Sequence, residues 1–252
     1  MTRDYQYGFS GKGKGRAMFD IDVREKKART MVAVLQECLP ESLDHYSVIN
    51  VGGSAGIIDH YLADHFARVI GVDIDEPAVA HAKATFQREN LEFQVGDALD
   101  LQFPDASFDV VVCSQVYEHV PDAAKMMSEI RRVLKPAGIC YFAASNRLMW
   151  NEPHYNLPLL SVIPRPLAHI YIRLAGRAES YYEHHYSYWG LRYLVREFAV
   201  DDFTHRMVVD PERYHVEYMV RPGSMKSVVA GFVARWLCWL SPGYIWILKK
   251  TV

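Results

Sequence analysis

From Ser47 to Ser145 the chain alternates short apolar runs with helix-like segments, and this alternation limits its possible folds more than any other feature. The runs fall at Ser47–Val51, 68–72, Leu91–Val95, 108–113 and 138–144. The fourth, Phe-Asp-Val-Val-Val-Cys, is nearly continuous in apolar character, as a strand buried on both faces must be. Helices are expected from Ile57, over 76–88 with Pro77 in its first turn, and from Asp122 through Leu134, where Pro136 stops it. Such alternation implies right-handed crossovers and a doubly wound α/β fold, a mainly parallel sheet covered by helices on both faces.

Outside this stretch the pattern changes. Residues 5–16 are glycine-rich and read as an arm, after which Asp22 would cap a helix over 23–39 that Pro40 ends. Beyond 145 a proline- and aromatic-rich stretch leads to a helix over 189–197 and strands over 200–209 and 244–248, for seven strands in all. One domain over 1–252 is expected: an arm and helix at 1–40, a core at 45–146, and insertions at 147–186 and 210–243.

Half the residues are apolar and about a quarter charged, an ordinary globular composition. Residues 1–17 contain no apolar run, so no leader is expected, and the four cysteines form no CxxC pair; Cys113 and Cys140 fall inside strand-like runs, as buried thiols do. A reducing, cytoplasmic setting is the expectation. Charge is uneven: residues 31–146 carry seventeen Asp/Glu against seven Lys/Arg, whereas the segments on either side are each net basic by four. Basic flanks suit an anionic partner or are simply solvated, and an acidic core without a basic stripe argues against nucleic acid.

A ligand of an open parallel sheet sits at the carboxyl ends of its strands, where strand order reverses. There the first strand delivers Gly52-Gly53-Ser54-Ala55-Gly56, in which Gly52 and Gly56 permit close backbone approach. A dinucleotide turn would need glycine at 52, 54 and 57, so Ser54 and Ile57 serve a pyrophosphate poorly. Asp73 ends the second strand, where a carboxylate accepts both hydroxyls of a ribose, and Asp97 follows the third, where one accepts from an adenine amino group.

In this order, Val48-Ile-Asn-Val-Gly-Gly-Ser-Ala-Gly56, Gly71-Val-Asp-Ile-Asp75 and Gly96-Asp-Ala-Leu-Asp-Leu-Gln-Phe-Pro104 with Ser107-Phe-Asp-Val-Val111 resemble class I S-adenosylmethionine-dependent methyltransferases. Glu118-His-Val-Pro-Asp122 and Arg132-Val-Leu-Lys-Pro-Ala-Gly138 complete the likeness, which covers 45–146 and, weakly, 185–209. The resemblance implies an antiparallel last strand and S-adenosylmethionine as cofactor. It implies that Gly52, Ser54 and Gly56 border the methionine moiety, that Asp73 holds the ribose and that Ile74 packs on adenine. By the same resemblance Asp97 and the Ala98 N–H read adenine, and Ser114 and Gln115 lie at the reacting end. Asn50 stands where the family carries an acid and would bond the cofactor ammonium through its amide oxygen. With Ser54 in place of the family's glycine, weaker cofactor binding is expected.

Transfer to an oxygen also requires a base, for which histidine is the usual choice. His119 follows the fourth strand and either faces the site or orders its loop, while His184 and His185 lie in an aromatic run entering the next helix and His154 in the first insertion. No ligand spacing accompanies them, so no metal is expected. Lys12, Lys14 and Arg16 either clasp an anion or belong to a solvated terminus, and the resemblance to some relatives implies that Tyr5, Tyr7 and Phe9 close over the cofactor. The apolar stretches 156–176 and 227–240, with interspersed arginine, are too interrupted to span a bilayer. They suit a membrane surface, a lid over a greasy pocket, or an oligomer contact. The whole tail is similar to methyltransferases that accompany bacterial polysaccharide and glycolipid assembly. Three readings follow: O-methylation of a glycan or lipid-linked acceptor, methylation of a small isoprenoid or quinone-like acceptor, and a catalytically silent binding module.

Overall fold

The computed structural model describes residues 18–251, so the expectations for Tyr5, Tyr7, Phe9, Lys12, Lys14 and Arg16 lie outside the described residues. Helix α1 (Ile21–Cys38) precedes β1 (Ser47–Val51), α2 (Ile57–Leu62), β2 (Arg68–Asp73), α3 (Glu76–Thr85), β3 (Leu91–Val95), β4 (Phe108–Ser114), α4 (Ala123–Val133) and β5 (Leu134–Ser145). There follow the short strands β6 (Asn151–Glu152) and β7 (Leu157–Pro158), α5 (Arg165–Leu174), α6 (Tyr188–Leu194), β8 (Phe198–Asp202), α7 (Thr204–Val209), α8 (Met225–Trp236) and β9 (Gly243–Lys250).

Seven strands form one sheet in the order β3-β2-β1-β4-β5-β9-β8, with β9 antiparallel to both its neighbours and the other pairs parallel. The order reverses between β1 and β4, where Val51 pairs with Cys113, so their carboxyl ends open one crevice. Val111 and Cys113 of β4 pack into the core under α4 and α6, while Val110 and Val112 pack into the core under α1, α2 and α7. That two-sided burial is why β4 reads as a continuous apolar run.

Three local expectations change. Asp20, not Asp22, caps α1, its Oδ1 accepting from the Val23 N–H at 3.1 Å. The apolar stretch 200–209 is not one strand: Asp202 Oδ1 accepts the Thr204 N–H at 2.8 Å and turns the chain into α7, where Phe203 and Met207, four apart, are both buried. In the stretch 156–176 only α5 is helical. Asn156, at φ 52°, turns the β6–β7 hairpin, and this insertion has a small core of its own built on Tyr155, Leu160, Ile172 and Tyr181. All four cysteines are free, with Cys113 and Cys140 buried. No described helix is long and apolar enough to cross a membrane.

Candidate active site

A cavity of about 940 Å³ opens at the carboxyl ends of β1, β2 and β4. Gly52 follows β1 with φ +82°, and a Cβ built there would meet Val116 at 2.5 Å, so only glycine fits this turn. The Gly52 and Gly53 N–H groups both bond the Val72 carbonyl, which ties the glycine turn to β2. Ser54 is held at φ 56° and its N–H donates to Asp73 Oδ2 at 2.7 Å, while the Asp75 N–H donates to Asp73 Oδ1 at 2.9 Å. Burial pushes the Asp73 carboxyl up, and these two backbone bonds work against that rise. Each carboxylate oxygen keeps acceptor capacity for a further hydroxyl.

Gly52, Ser54, Asp73, Ile74, Ala98, Ser114 and Gln115 all line the cavity. Gln115 sits at φ 59°, its Oε1 accepting from the Ser145 hydroxyl at 2.5 Å. Asn50, Gly56 and Asp97 lie outside the cavity wall. Asn50 is buried and its Nδ2 donates to Asp59 Oδ1 at 2.8 Å. Gly56 begins α2, and a Cβ there would strike Ala82 and Phe93 at 2.7 Å, so its glycine serves packing. Asp97 Oδ1 accepts the Leu99 N–H at 2.8 Å in a local turn.

Among the histidines, His119 and His154 line the cavity, whereas His184 and His185 do not. His185 is buried behind His154, its Nε2 3.4 Å from the same Glu152 Oε1 that lies 2.5 Å from His154 Nδ1. Burial alone would raise the Glu152 carboxyl, but its bonds to the two imidazoles prevail and draw it down to about 2. Burial would lower the His154 imidazole, and Glu152 instead holds it above its usual value.

Three contributors escaped the motif reading. Arg24, Lys27 and Thr30, on one face of α1, reach the wall, with burial lowering both cations' pKa and Asp73 favouring the charged Arg24. Their three-residue spacing on a helix was the available signal. Tyr141, Met207 and Tyr218 extend the wall, and Lys226, Ala230, Val233 and Ala234 carry it along one face of α8.

Residues 49–142 match the family described as "Methyltransferase domain". Over these residues the chain is similar to class I methyltransferase domains. The domain is 40% identical over 112 residues to the Mycolicibacterium smegmatis protein named "Probable S-adenosylmethionine-dependent methyltransferase", covering 44% of this chain and 42% of that one. It is 35% identical over 102 residues to a ubiquinone biosynthesis O-methyltransferase of Coxiella burnetii, covering 40% and 44%. The match thus spans less than half the length of these curated relatives. Among solved structures, a chain of the complex between the Haloferax volcanii Trm112 methyltransferase activator and a methyltransferase superposes with a TM-score of 0.58 at 19% identity. That superposition covers 97% of this chain and 96% of the other, so the shared fold extends beyond the methyltransferase domain's matched residues.

Proposed function

We propose that this chain is an S-adenosylmethionine-dependent methyltransferase that methylates a hydroxyl oxygen of a glycan or lipid-linked acceptor at a membrane surface. The observation that carries the reading is the continuity of one cavity from the Asp73 carboxylate to the apolar inner face of α8. The residues fit the cofactor. Asp73 accepts the ribose hydroxyls and Ile74 packs on adenine. The Ser54 hydroxyl, buried in the wall with no partner among the described residues, meets the methionine end. Arg24 and Lys27 offer charge to its carboxylate. Bound there, S-adenosylmethionine supplies a methyl group on a sulfonium, whose departure needs no proton, so alignment is the main requirement. Ser114 and Gln115 mark the reacting end, and His119 and His154 stand on the same wall to handle the acceptor proton.

Helix α8 supports the membrane part of the reading because it is apolar on both sides. Ala230, Val233 and Ala234 face the cavity, while Met225, Val228, Val229, Phe232 and Trp236 form an exposed outer stripe. Its charged residues, Lys226 and Arg235, are both basic, and Arg221 precedes it, which suits an anionic lipid surface. Trp189 of α6 stacks on Trp239 at 5.8 Å and continues the outer surface. A second reading, an isoprenoid or quinone-like acceptor, draws on the same apolar wall and on the likeness to the Coxiella burnetii enzyme.

Calorimetry with S-adenosylmethionine and its demethylated product tests the cofactor: micromolar binding is expected, lost in Asp73→Ala, and no binding at millimolar concentration refutes the enzyme and leaves a silent module. Labelled S-adenosylmethionine incubated with a bacterial lipid extract then separates the acceptors, since label enters either the saccharide-bearing or the quinone fraction. Flotation on phosphatidylglycerol vesicles is expected for the wild type and lost in Phe232→Ser/Trp236→Ser. Equal flotation of the two defeats the membrane reading.

A further inference from the structure

Two imidazoles and a carboxylate reach one point from two separate segments: Glu118 and His119 from the turn after β4, and His154 from the β6–β7 hairpin. One ligand atom from each lies within 4.8 Å of the other two. We propose that Glu118, His119 and His154 form a site for a divalent transition-metal ion of the Zn²⁺ class on the wall of the cavity. The site goes beyond methyl transfer, and its occupancy does not depend on that reaction.

The donor set is the first argument. Two histidines and one glutamate suit Zn²⁺ and neighbouring first-row ions, and three protein ligands leave a fourth position open. His119 and His154 both line the cavity, so that open position faces it. Ligand atoms around tetrahedral Zn²⁺ lie roughly 3.3–3.5 Å apart, given bonds of about 2.0–2.2 Å, so binding would draw the three together from within 4.8 Å.

The surroundings of His154 are the second argument. Glu152 Oε1 lies 2.5 Å from His154 Nδ1, and the other oxygen, Oε2, accepts the Tyr155 N–H at 3.0 Å. Nδ1 is thereby engaged, and the proposed site takes Nε2, on the opposite edge of the ring, as the ligand. A carboxylate that orients a metal-binding imidazole in this way is the usual outer support of such sites. His185 braces the same Glu152 oxygen from behind at 3.4 Å. Glu118 is wholly buried, and a bound cation offsets the cost of a carboxylate so far from water. With an acceptor hydroxyl in the fourth position the ion would favour loss of its proton to solvent, in place of transfer to His119 or His154, and this last role alone rests on the methyltransferase reading.

The full chain, stripped with a chelator and dialysed, is titrated with Co²⁺ and then Zn²⁺. One Co²⁺ per chain with visible ligand-field absorption, displaced by Zn²⁺, is expected. His119→Ala and His154→Ala each abolish it, whereas Glu152→Gln, which keeps all three ligands, weakens affinity about 10–100-fold. His205→Ala, on α7, leaves it unchanged. Absence of stoichiometric binding by the wild type, or the same binding by the His119→Ala/His154→Ala double variant, overturns the site. Circular dichroism confirms that each variant is folded. Calorimetry with S-adenosylmethionine on the same samples separates failure of the metal site from failure of the cofactor reading.

Discussion

Asn50 and Asp59 are best understood as a pair. Asp59 is buried on α2, and its Oδ2 would lie 2.7 Å from a Cβ at Gly53 and 2.8 Å from one at Gly71, so the carboxyl fills the space those glycines leave. Burial pushes its pKa up to about 7, against the bond from Asn50 and with help from the nearby Asp73 charge. An acid at position 50, as the family resemblance would have it, would set two carboxylates against each other; the amide donates instead. The raised value has a definite sign. Near pH 4 the unfolded chain begins to release this proton while the folded chain keeps it, so stability declines with rising pH up to about 7 and then levels. Asp59→Asn is expected to remove that decline, a difference on the order of 4 kcal/mol between the two ends of the window, measurable by urea unfolding at pH 4.5 and 8. Asn50→Asp should destabilise by about 2–4 kcal/mol at pH 8, and the swapped double variant, Asn50→Asp/Asp59→Asn, should recover most of it. A swap no better than the single change would show that the two do not act as a pair. Gly52→Ala, at positive φ and against Val116, should cost cofactor affinity at least tenfold by calorimetry.

At the scale of elements, the boundary between β8 and α7 rests on one side chain. Asp202 accepts the Thr204 N–H, so Asp202→Ala should lower stability by about 1 kcal/mol in a denaturant titration, while a change below 0.3 kcal/mol would shift credit to the burial of Phe203 and Met207. The 200–209 stretch looked like one strand because Val200, Val208 and Val209 favour extended backbone, and only packing reveals the helical spacing of 203 and 207. Helix α8 invites a separate test of its inner face. Ala230→Phe projects a ring into the cavity from the far side of the Asp73 site, so acceptor KM should rise at least tenfold while S-adenosylmethionine affinity stays within twofold. Loss of both would place the cofactor under α8.

For the whole molecule, a ligand that bridges β1, β2 and β4 at the sheet's switch point should stabilise all of it. At a hundred times its Kd, S-adenosylmethionine should add about 2.7 kcal/mol, or roughly 5–10 °C in Tm for a chain of this length, and none in Asp73→Ala. The parallel core was legible in the chain alone: β1 and β3 were readable to the residue, β1 as a run buried almost throughout and β3 as an edge strand that buries only Phe93. Chain order and strand ends also brought Gly52 and Asp73 together, as in any doubly wound sheet, and the family resemblance added Ser54 and Ile74; all four line the cavity. The remaining placements came from the packing of the folded chain. Asn50 turned to Asp59 rather than to the cavity, because a buried carboxyl nine residues away needed a donor. His154 came to stand with Glu118 and His119 while His185 withdrew behind Glu152, contacts that cross more than thirty residues and leave no periodic trace. Arg24 and Lys27 entered the site because α1 packs beside α2 on one face of the sheet and brings them to the cavity wall. Local spacing encodes which face of an element is apolar; which elements then meet is a property of the folded packing.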